Sequence, residues 1–173
     1  MRDGRTLLFC LVGILLFLIT CRSTSEGATP PGFTDHGVAA PVAQIEFGGG
    51  PVPARGDGDR KIILLKLRGE TSNYYLSIDA VTGATNQVAV SKAGGWNVFL
   101  TADNKLYDTL YDPADKKYKL VEYDPVTQSI TKLGEVPGTV TTSMKISDDN
   151  ILYGAVSPTG ELFSYNRNTK VFK

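Results

Sequence analysis

From residue 42 onward, apolar and polar residues alternate in short runs broken by turn formers, the two-residue period of half-buried strands. The pattern predicts strands at 43–47, 61–67, 74–79 and 86–91, with a Gly/Pro-rich link through Gly58 after the first. A second group lies at 97–101, 105–109, 118–123 and 129–133. The third group is 143–147, 151–156, 161–165 and a short last piece at 170–173. No sustained helical period occurs in these groups, so the expected fold class is all-β, built from four-stranded antiparallel meander repeats.

Three turns have nearly the same wording. They are Ile78-Asp79-Ala80-Val81-Thr82-Gly83, Tyr123-Asp124-Pro125-Val126-Thr127-Gln128 and Tyr165-Asn166-Arg167-Asn168-Thr169-Lys170. Their threonines lie 45 and 42 residues apart, a spacing that marks repeated supersecondary units. An Asp or Asn side chain accepts hydrogen bonds from the backbone just ahead of it, so the chain reverses without tertiary help. Pro125 presets φ, and Gly83 tolerates a positive φ. The residues before the turn, Tyr123, Tyr165 and Ile78, are expected to point between sheets. Ala102-Asp103-Asn104 and Asp148-Asp149-Asn150 punctuate the first two strands of the second and third groups, with their asparagines 46 apart.

The words Leu120-Val121-Glu122-Tyr123-Asp124-Pro125-Val126-Thr127 and Leu162-Phe163-Ser164-Tyr165-Asn166-Arg167-Asn168-Thr169 resemble the blade corners of β-propellers. Kelch, lactonase-like, surface-layer and lyase-type propellers share such Asp-Pro-x-Thr turns. The resemblance covers 42–173 and implies a partial β-propeller with about three blades, 42–92, 93–138 and 139–173. There is no Trp-Asp pair, and Gly94-Gly95 precedes the first strand of its unit rather than following the second. Closed propellers have roughly 4–8 blades, so a C-terminally incomplete chain is the expectation. Closure by oligomerisation and an open three-sheet stack are the other readings.

The N-terminus belongs to a different class. Arg2 and Arg5 precede an apolar run from 7 to 19, the length of a secretory signal core and short of the ~20 residues of a spanning helix. Leu18-Ile19-Thr20-Cys21 resembles the lipobox of bacterial lipoproteins, with Thr20 where Gly, Ala or Ser is usual. The resemblance implies a signal peptide at 1–20 and lipidation at Cys21. An ordinary signal peptide and a retained anchor remain beside that reading. Residues 21–41, rich in small residues, Gly and Pro, are expected to be a flexible tether. Once Cys10 is lost with the leader, Cys21 stands alone, so neither an intramolecular disulfide nor a cysteine-based metal site can form. No Asn-x-Ser/Thr sequon occurs. The expected location is the bacterial cell envelope or the secreted space, with any membrane contact made through the N-terminal lipid or leader.

Charge adds little. Lys+Arg and Asp+Glu are both 18 among 173 residues, so no basic excess points to nucleic acid. His36, the single histidine, sits in the tether, which argues against a serine or cysteine nucleophile with a histidine base and against multi-histidine zinc sites. Asp57, Asp59, Asp103, Asp148 and Asp149 suggest Ca²⁺ only weakly; turn chemistry explains them better. Arg55-Gly56-Asp57 is a short adhesion-like tripeptide that a turn accounts for, and Gly48-Gly49-Gly50 lacks the helix of a phosphate loop. Cofactors and metals are not expected.

Tyr107, Tyr111, Tyr118, Tyr123, Tyr153 and Tyr165 are expected chiefly in the inter-sheet core. Trp96 and Tyr111 fall nearest the predicted loops and are the candidate ligand-binding residues. Lys66, Arg68, Lys119 and Glu122 could form an acid–base set for uronic-acid lyase chemistry, although alternation places most of them on solvent faces. The resemblance implies an envelope-anchored or secreted module that binds a protein or glycan partner. The alternatives are a propeller enzyme of polysaccharide-lyase or lactonase type with part of its site in missing blades, and a fragment without a function of its own.

Overall fold

A computed structural model describes residues 50–95 and 97–173, together with Gly32 and the strand Ile45–Glu46. The chain divides into units 1–35 and 36–173, and every described strand belongs to the second. The expected leader, Cys21, His36, most of the tether and Trp96 lie outside the described residues.

Among the described residues, twelve strands form three antiparallel sheets in chain order. The first sheet contains β1 (Ile45–Glu46), β2 (Val52–Arg55), β3 (Lys61–Arg68), β4 (Asn73–Asp79) and β5 (Thr85–Ala89). The second contains β6 (Phe99–Leu100), β7 (Leu106–Asp112), β8 (Lys117–Asp124) and β9 (Ser129–Glu135). The third contains β10 (Val140–Ile146), β11 (Ile151–Ser157) and β12 (Leu162–Asn166). Among the described residues the only helical element is a single 3-10 turn, Asp57–Asp59. The expected all-β class and meander repeats are therefore present.

One prediction needs correction. The Gly/Pro-rich link holds β2, which pairs with β3 from Val52↔Leu64 to Arg55↔Lys61. β1 pairs with the far end of the same strand, Ile45↔Arg68 and Glu46↔Leu67. β1 and β2 are thus two pieces of one interrupted edge strand. Proline lacks a ladder donor, but at an edge that donor is not required, so Pro53 is accommodated.

The last residues supply part of a fourth strand to the third sheet. Ser164 N–H donates to the Lys173 carbonyl at 2.8 Å, and Lys173 N–H returns a bond to Ser164 at 2.9 Å. Phe172 then stacks on Phe163, with ring centroids 5.4 Å apart and planes 11° apart.

The sheets pack face against face. Leu64 and Tyr75 of the first meet Leu106 and Tyr123 of the second, where the two tyrosine rings lie 4.6 Å apart. Tyr107 and Leu120 of the second meet Met144, Leu152, Val156, Phe163 and Tyr165 of the third. Burial reflects this order. β7 is buried at nearly every position, as a strand covered on both faces must be, whereas β11 alternates between buried and open. Tyr123 and Tyr165 sit in the inter-sheet core as expected, while Ile78 is only half-buried.

The repeated turns share one geometry. Asp79 Oδ1 accepts from Val81 and Thr82 N–H, both at 2.9 Å. Asn166 Oδ1 does the same for Asn168 and Thr169, and Asp124 Oδ1 for Val126, also at 2.9 Å. Each turn closes with a residue at positive φ: Gly83 at 71°, Gln128 at 58° and Lys170 at 62°. Only the first is glycine, so in the other two the side-chain hydrogen bonds and the ladder hold an ordinary residue in the left-handed region.

Candidate functional site

Three polar constellations connect the sheets. The deepest is between the first and second. Lys66 leaves β3 and Asp108 leaves β7, both with fully buried side chains, and their Nζ–Oδ2 distance is 2.6 Å. Lys66 also donates to Asp108 Oδ1 at 2.8 Å and to the Gly95 carbonyl at 2.9 Å. Asp108 further accepts from the Tyr75 hydroxyl at 2.7 Å and from Thr109 N–H at 2.7 Å. Burial, and after it the Asp108 charge, holds the Tyr75 hydroxyl pKa well above its ordinary value. Gly94 lies against β7 beside this pair: a Cβ there would come within 2.6 Å of the Thr109 carbonyl oxygen and 3.3 Å of Lys66 Nζ. The carboxylate and ammonium are satisfied by one another and by neighbouring groups, which is the condition under which buried charges persist.

This overturns the solvent-face assignment of Lys66. The proposed lyase set is not brought together either. Lys66 is spent on Asp108, Glu122 accepts from the Tyr107 hydroxyl, and Lys119 pairs with Asp115 at 2.6 Å. Asp108 was the residue that sequence reasoning missed. A signal existed, because Leu106-Tyr107-Asp108-Thr109-Leu110 puts a charge in phase with two core leucines.

The second constellation joins the loops at one end of the stack. Asn104 acts as a backbone mimic: its Oδ1 accepts from Arg55 N–H and its Nδ2 donates to the Arg55 carbonyl, both at 2.8 Å. Arg167, inside the third repeated turn, reaches back to the second sheet. Its Nε donates to the Tyr107 hydroxyl at 2.8 Å and its Nη2 to Asp103 Oδ2 at 2.6 Å. Nη1 donates to Asn150 Oδ1 at 2.7 Å. Burial would raise the Asp103 pKa, but bonds from Thr101 and Arg167 bring it below its ordinary value. Asp103 thus serves inter-repeat pairing. Asp59 pairs with Arg55 at 3.6 Å, and Asp149 accepts from Ser147. Among the described residues no three His, Cys, Asp or Glu side chains converge on a metal-sized point.

The third constellation surrounds Tyr111, the described one of the two candidate ligand-binding residues. It lines a cleft of about 240 Å³ between the end of β5 and β7–β9. Val90, Leu110, Val121 and Ile130 provide its apolar lining, and Ser91, Asp112, Lys119 and Lys132 its polar groups. Tyr111 is half-buried and meets Tyr118 edge-on at 5.3 Å. Lys132 pairs with Asp112; that bond and the Ala114 N–H lower the Asp112 pKa. The hydrogen bond that Lys119 donates to Asp115 raises the lysine's pKa, and Lys119 also lies 3.9 Å from Glu135. A larger hollow of about 500 Å³ lies along β2 and β6, but its Asn104 amide is already committed to Arg55.

No protein-family model matches the sequence, and no curated protein matches it. Among solved structures the chain is similar to the β-propeller domain of the Trilobed protease from Pyrococcus furiosus, described as having an open velcro topology. The TM-score is 0.47 and the identity 14%, over 74% of this chain and 41% of the other. This chain thus spans about two fifths of that chain's length.

Proposed function

We propose that the domain is a propeller-type binding module, held at the bacterial envelope or secreted, that recognises a protein or glycan partner through the cleft beside Tyr111. One observation supports this reading: a half-buried tyrosine lines an apolar cleft together with Ser91, Asp112, Lys119 and Lys132. Ligand sites combine that apolar lining with a few convergent polar groups, and the exposed face of an aromatic ring suits a sugar ring or an apolar side chain. The opposite charges at the rim would orient hydroxyl groups or a polar peptide edge.

The test is titration calorimetry with neutral and uronic-acid oligosaccharides and with envelope peptides, comparing the native chain with Tyr111→Ala. Binding by the native chain that weakens at least tenfold in the variant supports the reading. Equal affinity in the two proteins, or no binding to any of these probes, sinks it. For the envelope location, Cys21→Ser is expected to release the protein from membranes; unchanged retention defeats lipid anchoring.

A further inference from the structure

The Lys66–Asp108 contact holds a primary amine against a carboxyl group in a joint closed to solvent. Both side chains are fully buried, with Nζ 2.6 Å from Oδ2 and 2.8 Å from Oδ1. Leu64 and Leu106, each two residues before one member of the pair on its strand, are buried with it. Every polar atom of the contact has a further partner. Oδ1 accepts the Thr109 N–H at 2.7 Å, Oδ2 accepts the Tyr75 hydroxyl at 2.7 Å, and Nζ donates to the Gly95 carbonyl at 2.9 Å.

We propose that Lys66 and Asp108 condense into an intramolecular amide, an isopeptide bond between the first and second sheets. The ion pair is its reactant state. One ammonium proton passes to Oδ2, which leaves a neutral amine beside a neutral carboxylic acid. The nitrogen lone pair then forms the Nζ–Cγ bond, and the carbonyl π pair moves onto Oδ1. There the Thr109 N–H faces the developing negative charge, as the donors of an oxyanion site do. A second nitrogen proton passes to Oδ2, the Cγ–Oδ2 bond breaks with its electron pair on oxygen, and one water leaves. Oδ1 re-forms the carbonyl. The third proton stays on nitrogen and keeps the Gly95 carbonyl as its acceptor. The Tyr75 hydroxyl, kept protonated by burial, bonds the departing oxygen. One ammonium and one carboxylate thus give one amide and one water, with no oxidant, reductant or external reactant.

The fold supplies the driving force in two ways. Reacting groups held in contact behave as if at effective molarities of about 10⁵–10⁸ M when well aligned. The product also removes two charges from a desolvated joint, and the exclusion of water protects the amide from hydrolysis. Residues 36–173 contain no cysteine. The amide does for this unit what a disulfide does elsewhere, closing a loop between residues 42 apart and restraining the unfolded chain.

Tryptic peptide mapping by mass spectrometry tests this, on native protein held folded at neutral pH for several days and then denatured. Trypsin does not cut after an acylated lysine. The expected product is a branched peptide that joins 62–68 to 106–116 and is lighter than their sum by one water. Asp108→Ala should give linear peptides only, with ordinary cleavage after Lys66. Native protein whose Lys66 is cleaved as an ordinary lysine overturns the inference, whether or not the variant folds. So does a branched peptide that forms equally in a chain kept unfolded in urea, because only the fold brings these two residues together.

Discussion

Lys66 and Asp108, 42 residues apart in sequence, form an ion pair with both side chains fully buried between the first two sheets. Their strands belong to different repeats, so the pair works as a polar lock within an otherwise apolar joint. Replacing a buried pair by apolar groups is often neutral, whereas removing one partner leaves an uncompensated charge.

Asp108→Ala is accordingly expected to cost about 3–5 kcal/mol, because it strands the Lys66 ammonium. Lys66→Met/Asp108→Asn removes both charges and leaves an acceptor for Tyr75. It should lose clearly less than the single variant. Urea unfolding of both proteins decides the matter; a double variant as unstable as the single one would show that the charge pair is not the cause.

Gly154→Ala should destabilise the joint between the second and third sheets. A Cβ there would lie 2.2 Å from the nearest Phe163 ring carbon, closer than real Cβ contacts allow. Overpacking of this kind costs typically 1–3 kcal/mol. Thermal unfolding measures the loss, and Phe163→Leu in the same chain should return part of it by vacating the ring position.

Acid should weaken the repeated turns. Hydrogen bonds from Thr82 and Val81 N–H hold the Asp79 pKa below its ordinary value, and a bond from Lys132 does the same for Asp112. For Asp124, burial raises the pKa but bonds from Lys105 and Val126 bring it below its ordinary value. A carboxyl whose folded pKa is depressed stabilises the fold above the unfolded value of about 3.9, and that stabilisation is lost as pH falls through the folded value. The melting temperature should hold above about pH 5 and drop below pH 4. Asp79→Asn keeps the turn acceptor, as Asn166 does natively in the third repeat, and should flatten part of that drop. Parallel curves for variant and native chain would contradict the assignment.

Alkali acts with the opposite sign on the inter-sheet tyrosines. Burial, then the Asp124 charge, pushes the Tyr123 pKa up to about 12, and Tyr75 is raised well above its ordinary value. A raised folded pKa contributes stability below the unfolded value of about 10, and that stability is lost as pH rises through the folded value. Part of the phenolate absorbance should therefore appear in step with loss of the β-sheet circular dichroism signal. Tyr75→Phe should reduce that step. Complete phenolate titration with the fold intact would exclude the linkage.

Arg167 tests the loop joint separately. Arg167→Ala removes its contacts with Asp103, the Tyr107 hydroxyl and Asn150. Arg167 and Asp103 are partly exposed, so the expected loss is modest, about 2 kcal/mol, near the value of hydrogen bonds that involve a charged group. Hydrogen exchange should quicken at 102–105 and 148–151 more than in β3 and β4. Uniform quickening throughout the sheets would show that Arg167 supports the whole stack.

The strands and turns were legible because their causes are local. Asp79 and Asn166 bond to the backbone two and three residues ahead, so a few adjacent letters specify those turns, and short strand-forming runs between turn formers mark β4, β8 and β11. The β2 strand was less legible, since Gly50, Pro51 and Pro53 mask an edge strand that exists only through its pairing with β3. Of the candidate site, Tyr111 was identified by its position near a loop. Its cleft depends on Val90 and Ser91 from the preceding repeat, which no local pattern connects to it.

By itself the sequence determined an all-β chain with three repeated turns at 45- and 42-residue spacing. Tertiary structure decided which polar residues became interior. Lys66 and Asp108 meet across 42 residues, and Arg167 reaches Tyr107 across 60. The physical reason is that alternation assigns a side chain to a face of its sheet, while only stacking decides what covers that face. In the third sheet Leu162 keeps the position that is buried as Tyr75 and Leu120 in the other two, yet it stands 77% exposed.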